Sequence, residues 1–190
     1  MANTTLKIVY ADLHLGVQGD GFEYLFSYPQ GGIVSLVKDG MEWMYKAPRP
    51  ALWRAVTDND HGNGFHYKSG MWLSADAFIR VKGARVFIDG NEIPLPMGPE
   101  NNRYTGDETA DEVKITHVFE TITSPATDIE ITYTVSSDGR IRVDGLFHGQ
   151  KDLPELPCFG IRMIMPTAAT GFSYEGLSGE TYPDRKFGGE

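Results

Sequence analysis

The sequence predicts an all-β protein built as an antiparallel β-sandwich, because apolar and polar residues alternate along short segments and Asp-Gly pairs separate several of them. Along residues 129–136, Ile, Tyr and Val alternate with Glu, Thr and Ser, the pattern of a strand with one face in water. Ser137-Asp138-Gly139 follows, and a second apolar series begins at Ile141. We therefore predict a hairpin here.

Two further Asp-Gly pairs predict two more hairpins, since both residues tolerate the positive φ angles of a tight turn. Asp39-Gly40 lies between apolar segments 33–37 and 43–45, and Asp89-Gly90 follows the apolar run 86–88. Strands at these positions would pair antiparallel.

The remaining elements are predicted from apolar content and spacing. Residues 113–119 and 159–165 read as strands, and the second is apolar at almost every position, which predicts burial on both faces. Residues 65–78 have apolar side chains near helical spacing and predict one short helix. Prolines break residues 95–102, where a surface loop is expected.

Composition is that of an ordinary globular protein, and 190 residues predict one domain. The formal net charge of −9 disfavours binding to nucleic acid or to anionic membranes. No apolar run approaches the roughly 20 residues that span a bilayer, and the N-terminus lacks the pattern of a secretory signal. Cys158 is the single cysteine and is expected to be a buried thiol, so a cytoplasmic protein is predicted.

Two polar motifs stand out against this background. The first is Arg54-Ala55-Val56-Thr57-Asp58-Asn59-Asp60-His61-Gly62, and the second, Gly179-Glu180-Thr181-Tyr182-Pro183-Asp184-Arg185, lies far downstream. In this order they resemble the C-terminal domain of the bacterial β-galactosidases of glycoside hydrolase family two. Residues 24–28, 68–73 and 165–172 resemble the separately encoded small chains of the two-chain β-galactosidases of lactic acid bacteria.

The resemblance runs essentially end to end and implies a narrower fold, the galactose-mutarotase-like supersandwich. In the resembling proteins the domain continues beyond the second motif. It therefore implies that residues 1–190 correspond to roughly the N-terminal two thirds of the family domain, that the sandwich is incomplete, and that exposed strand edges favour self-association.

The same resemblance implies a small subunit of a heteromeric enzyme that hydrolyses terminal β-D-galactosides such as lactose. Retaining hydrolysis needs two carboxyl groups, which this family holds on a (β/α)₈ barrel. The present chain lacks the strand–helix alternation of such a barrel, so no catalytic residue is expected in it. Its partner would be the β-galactosidase large chain, substrate would be met through the complex, and any metal cation would belong to the large chain, with no cofactor here.

The motif residues are expected to be structural or to lie at an interface. Arg54, Asp58, Asn59 and Asp60 would fix a loop through hydrogen bonds to the acids, and the resemblance places that loop toward the catalytic barrel. An EF-hand is disfavoured because Gly62, Asn63 and Ser69 stand at its required ligand, glycine and glutamate positions; a different oxygen site stays open. The downstream set is interpreted as a structural loop rather than a sugar-binding cluster: Glu180, Tyr182, Asp184 and Arg185, with Glu175 and Tyr174 beside them.

Two alternatives remain open. One is a free-standing aldose mutarotase or epimerase, with His117 or His148 acting together with Glu175. The other is a carbohydrate-binding module that stacks sugars on tyrosine or tryptophan. Trp43, Trp53 and Trp72 are expected in the core or an interface, and His117 and His148 are expected to be satisfied or half-exposed on strands.

Overall fold

The computed structural model describes residues 5–97 and 105–166, together with the single residues 170, 171, 173 and 175. Strands dominate, and the few helical turns follow one another between β6 and β7. The strands are β1 Leu6–Tyr10, β2 His14–Gly19, β3 Phe22–Ser27, β4 Gly32–Lys38, β5 Met41–Glu42, β6 Lys46–Ala51, β7 Arg80–Ile88, β8 Asn91–Ile93, β9 Thr109–Ala110, β10 Glu112–Glu120, β11 Asp128–Ser136, β12 Ile141–Phe147 and β13 Gly160–Ile164.

Two antiparallel sheets form the body of the protein. One has six strands in the order β5-β4-β3-β2-β1-β9, and the other has five in the order β12-β11-β10-β7-β8. Apolar residues from both sheets form one core; Phe26 of the first sheet, for example, contacts Tyr133 of the second, with ring centroids 5.5 Å apart. The predicted all-β antiparallel sandwich is confirmed.

All three predicted Asp-Gly hairpins are present. They join β4 to β5, β7 to β8, and β11 to β12. Asp39, Gly40, Asp89 and Gly90 have φ between 48° and 79°, the left-handed values that a two-residue hairpin turn requires. At the third turn only the glycine has positive φ, and the Tyr24 hydroxyl donates to the Gly139 carbonyl at 2.7 Å, tying the turn to the other sheet.

The strand after Asp39-Gly40 lies earlier than predicted, since β5 ends at Glu42. The Glu42 carboxylate accepts the backbone N–H groups of Leu36 and Met44 at 2.9 and 2.8 Å. The segment 43–45, predicted as a strand, lies outside β5, although the Trp43 N–H still donates to the Leu36 carbonyl at 2.9 Å. The predicted strand at 113–119 is confirmed as β10.

The prediction of a doubly buried strand at 159–165 is half wrong. The strand exists as β13, which pairs with β6 in a separate two-stranded sheet. Within the part of the chain that is described, no strand pairs with the other edge of β13, and Arg162, Met163 and Ile164 are exposed. The apolar content of a strand does not specify which strands pair with it or which residues pack against its faces.

The helical region also differs from the prediction. Helix α1 covers Asp58–Asn63, α2 covers Phe65–Lys68, and a 3₁₀ turn follows at Gly70–Trp72. The Asp-Asn-Asp sequence is thus not a loop but the first turn of a helix, and the predicted single helix is split into short turns. Over residues 5–97 and 105–166, no helix is long and apolar enough to cross a bilayer.

Candidate functional site

The first polar motif folds around one ion pair. Arg54 and Asp60 meet in a two-pronged contact, with Nη1 to Oδ2 at 2.6 Å and Nη2 to Oδ1 at 3.1 Å. Arg54 also donates to the carbonyl oxygens of Ala55 and Pro157, so it links the start of α1 to a segment about a hundred residues away. We call this arrangement of Arg54, Thr57 and Asp60 the Arg–Asp clasp.

The clasp is continuous with the N-terminal cap of α1. Thr57 accepts the backbone N–H of Asp60 on its hydroxyl, and Asp60 in turn accepts the backbone N–H of Thr57 at 2.8 Å. This reciprocal pair is a capping box, which satisfies two backbone donors at the start of a helix. Gly64 ends the helix in a left-handed conformation, φ +70°.

Electrostatics reinforce the geometry. Asp60 is 7 % exposed, whereas Arg54 keeps one side toward solvent. The hydrogen bonds from Arg54, and then that from the Thr57 backbone, hold the pKa of the Asp60 carboxyl well below its usual range. Since a carboxylate with a lowered folded-state pKa stabilises the fold above its ordinary pKa, the clasp is intact at neutral pH and is lost only in strong acid.

The other two predicted residues of this motif lie outside the ion pair between Arg54 and Asp60. Asp58 and Asn59 lie on the exposed side of α1. Across residues 5–97 and 105–166, no three His, Cys, Asp or Glu side chains lie close enough to hold a metal ion together. Of the four motif residues, it is Arg54 and Asp60 that the fold brings together.

The second motif lies outside the described residues, and so do Glu180, Tyr182, Asp184, Arg185 and Tyr174. Glu175 is described and is exposed. The roles predicted for these residues remain predictions.

The tryptophans divide between core and surface. Trp72 is fully buried, Trp53 is partly buried, and Trp43 is 40 % exposed. Trp72 donates its indole N–H to the Pro154 carbonyl at 3.1 Å. The expectation of core or interface positions therefore fits Trp72 and Trp53 as core residues.

The two histidines predicted on strands differ from each other. His148 lies one residue after the end of β12 and not on a strand; it is half-buried, with Nε2 3.2 Å from Glu130 Oε1, as expected for a half-exposed imidazole. His117 is 0 % exposed, and neither ring nitrogen has a hydrogen-bond partner among the described residues, so the expectation of a satisfied or half-exposed ring is wrong for it. A fully buried ring cannot reach a sugar, and the carboxylate beside His148 is Glu130, which leaves the proposed mutarotase pairs without geometric support.

A surface cavity of about 350 Å³ lies at β1, lined by residues 7–10 and by Thr105, Gly106 and Glu108. Among the described residues that line it, Glu108 is the one carboxylate, and it already accepts the backbone N–H groups of Thr105 and Gly106. Retaining glycoside hydrolysis uses two carboxyl groups about 5 Å apart. This cavity does not supply them.

Sequence reasoning missed Thr57, Phe65 and Pro157 as members of this site. Phe65 lies under the Arg54 guanidinium, whose Cζ is 5.8 Å from the ring centroid. A local signal for Thr57 was available, because Thr57 and Asp60 have the three-residue spacing of a capping box. Pro157 had no such signal, since its contact depends on tertiary structure.

Comparison with known proteins identifies the family of this chain. The chain is 56 % identical to a β-galactosidase small subunit of Latilactobacillus sakei, over all of this chain and 60 % of that protein. It is 31 % identical to β-galactosidases of Clostridium acetobutylicum and Lactobacillus delbrueckii subsp. bulgaricus, over 97 % and 94 % of this chain but only 18 % and 16 % of theirs. Residues 18–190 match the family model described as beta galactosidase small chain. The chain therefore belongs to the β-galactosidase small chain family.

Proposed function

We propose that this chain is the small subunit of a heteromeric β-galactosidase and that it supports the active site of a separate large chain. The large chain would supply the acid/base and the nucleophilic carboxylate that hydrolyse terminal β-D-galactosides such as lactose. The complex would act in the cytoplasm, and any metal cation would be bound by the large chain.

The observation that carries the proposal is the pattern of coverage. The chain matches 60 % of a protein named as a small subunit, and it also matches 16–18 % of the length of much longer proteins named β-galactosidase. The same kind of domain thus occurs both in a named subunit and as a small part of longer β-galactosidases. The remainder of such a longer protein corresponds to the partner that we propose for the separate chain.

The architecture supports a non-catalytic role. The described residues form an antiparallel sandwich whose motif residues Arg54 and Asp60 are committed to each other and to backbone groups. A carboxylate held by a bidentate arginine and a backbone N–H is poorly suited to donate or accept a proton near neutral pH. Asp60 is therefore assigned to architecture.

A mixing experiment tests the proposal. This chain and the large chain of a two-chain β-galactosidase are purified separately, mixed, and assayed with an aryl β-galactoside and with lactose. We expect the two chains to co-elute on size exclusion and the mixture to hydrolyse both substrates faster than the large chain alone. If the chains elute separately and the large chain's rate is unchanged, the proposal fails.

The clasp should matter to this function through the stability of α1. Thr57→Ala removes one half of the capping box and should cost about 1 kcal/mol of local stability, and Asp60→Asn should remove the charge and one of the two oxygen acceptors that Arg54 contacts. Both changes should raise amide hydrogen exchange across residues 58–64 by about fivefold or more. Asp58→Asn is the matched control, because it removes an exposed carboxylate from the same helical turn. If amide hydrogen exchange across residues 58–64 is equal in the control and in both clasp variants, the clasp does not stabilise α1.

A further inference from the structure

The segment that follows the clasp exposes more large apolar side chains than a solvated surface needs. Tyr67 is 82 % exposed, Phe78 65 %, Leu73 60 % and Met71 43 %. All four lie within twelve residues of chain, 67–78. We call these four residues the apolar segment.

The apolar segment is held in place from beneath. Trp72 and Ala75 are 0 % and 1 % exposed, and the Trp72 indole is fixed by Pro154 and packs edge-on against Phe147 at 5.7 Å between ring centroids. The exposed side chains therefore project from a backbone that is anchored in the core. Fixed apolar groups bind a partner at a lower entropic cost than groups on a loose loop.

The clasp anchors the other end of the same segment. Asp60 is held by Arg54, and the backbone carbonyl of Asp60 lies 3.4 Å from His66 Nδ1, one residue before Tyr67. The Arg54 guanidinium also covers the Phe65 ring. The polar motif and the apolar segment are thus one connected structure.

The charge pattern is that of the centre of an interface. Residues 61–75 contain no Asp or Glu, in a chain with 26 acidic residues and a net charge of −9, and Asp76, which falls within 67–78, is mostly buried and paired with Arg162 at 3.1 Å. Interface centres are depleted in charged residues and enriched in Tyr, Phe and Met. At the average frequency of acidic residues in this chain, fifteen residues would carry about two carboxylates.

The apolar area exposed by these four side chains is large enough for the centre of a protein–protein interface. Two aromatic side chains at these exposures, with Leu73 and Met71 added, present on the order of 400 Å² of apolar surface. That is about half of the roughly 800 Å² per partner that a standard interface buries. The segment can thus form the centre of a specific interface, and neighbouring polar residues would form its rim.

We propose that the apolar segment, Tyr67, Met71, Leu73 and Phe78, is a docking surface for the β-galactosidase large chain; this rests on the function proposed above. The large chain is the occupant because longer relatives named β-galactosidase carry more than four fifths of their length beyond the part that this chain matches. In those proteins a covering surface is available within the same molecule. In a two-chain enzyme that surface would belong to the partner.

Two substitutions of exposed apolar residues test the docking surface. Leu73→Lys and Tyr67→Ser are compared with wild type for binding to the large chain by biolayer interferometry. We expect the dissociation constant to rise by about tenfold or more for each variant, as at the anchor positions of other interfaces. Since both side chains are exposed, the circular dichroism spectrum and the melting temperature should stay close to those of wild type.

Ile122→Lys is the matched control, because Ile122 is 52 % exposed and lies between β10 and β11 on another part of the surface. It should change the dissociation constant by less than about twofold. Tyr45→Ser probes a second exposed aromatic, 71 % exposed beside β6, and should also bind like wild type.

A photo-reactive phenylalanine analogue at position 67 provides a second readout that does not depend on affinity. In the mixture it should cross-link to the large chain; cross-linking to a second copy of this chain alone would overturn the proposal. If wild type binds the large chain and Leu73→Lys and Tyr67→Ser bind equally well, this inference fails and the small-subunit function stands. If wild type itself does not bind, both fail.

Discussion

Replacing Trp72 with alanine is expected to lower the free energy of unfolding by about 3–5 kcal/mol, the cost of emptying a large buried aromatic site. Trp72 is fully buried, contacts Phe147 and donates to the Pro154 carbonyl. It is also the anchor that connects the 3₁₀ turn with the segment after β12. The substitution should therefore weaken the fold and release the apolar segment.

Urea unfolding followed by circular dichroism measures the change. Trp72→Phe retains a ring but not the indole N–H, and should cost less than the alanine change while still losing the hydrogen bond, worth about 1 kcal/mol. Trp43→Ala is the control, since Trp43 is 40 % exposed and should cost much less. A loss below about 1 kcal/mol for Trp72→Ala would contradict the anchoring role.

Between about pH 6.5 and pH 4, a loss of stability is expected from His117. Burial lowers the pKa of His117 from an ordinary 6.5 to about 4, and neither ring nitrogen has a hydrogen-bond partner among the described residues that would compensate the imidazolium. Between those two values the unfolded chain binds a proton that the folded chain does not. The free energy of unfolding should therefore fall as pH drops from about 6.5 to about 4, by about 3 kcal/mol from this residue.

His117→Leu isolates this contribution. The variant lacks the proton-binding ring and two buried nitrogens without partners, so its stability at pH 7 should equal or exceed that of wild type. The difference between wild type and variant should widen from pH 7 to pH 4. His61→Gln, at an exposed histidine, should retain the wild-type slope. If the free energy of unfolding of His117→Leu falls with decreasing pH as steeply as that of wild type, His117 is not the group that causes the loss of stability.

The parts of the fold that could be predicted from sequence depend on local chemistry. Asp39-Gly40 and Asp89-Gly90 specify tight turns because their own backbone preferences match the turn. The alternation along β11 specifies a half-buried strand because successive side chains point to opposite faces. Neither inference needs knowledge of distant residues.

The parts that could not be predicted depend on contacts between distant segments. Arg54 reaches Pro157, and the exposure of β13 depends on its pairing with β6 alone among the described strands. His117 alternates correctly into the core, yet nothing in its neighbours in sequence shows that its nitrogens lack partners there. The capping box of Thr57 and Asp60 could have been predicted, since it depends only on two residues three positions apart in the sequence.

These features combine into one account of the chain. A sandwich with its own core supports a short helical segment, the Arg–Asp clasp fixes the start of that segment, and Trp72 fixes its middle. The exposed apolar side chains that result project from a backbone anchored in the core, and the one carboxylate within residues 67–78, Asp76, is paired with Arg162. Such a surface is suited to hold a partner in place, and under the proposed function the bond-breaking carboxylates would belong to that partner.

A titration of activity tests this account most directly. A fixed amount of the large chain is mixed with rising amounts of this chain, and the hydrolysis of an aryl β-galactoside is measured at each ratio and for this chain alone. The account predicts no hydrolysis by this chain alone and a rate that rises to a plateau as the large chain becomes saturated. Hydrolysis by this chain without the large chain, or a large-chain rate that does not respond at any ratio, would contradict it.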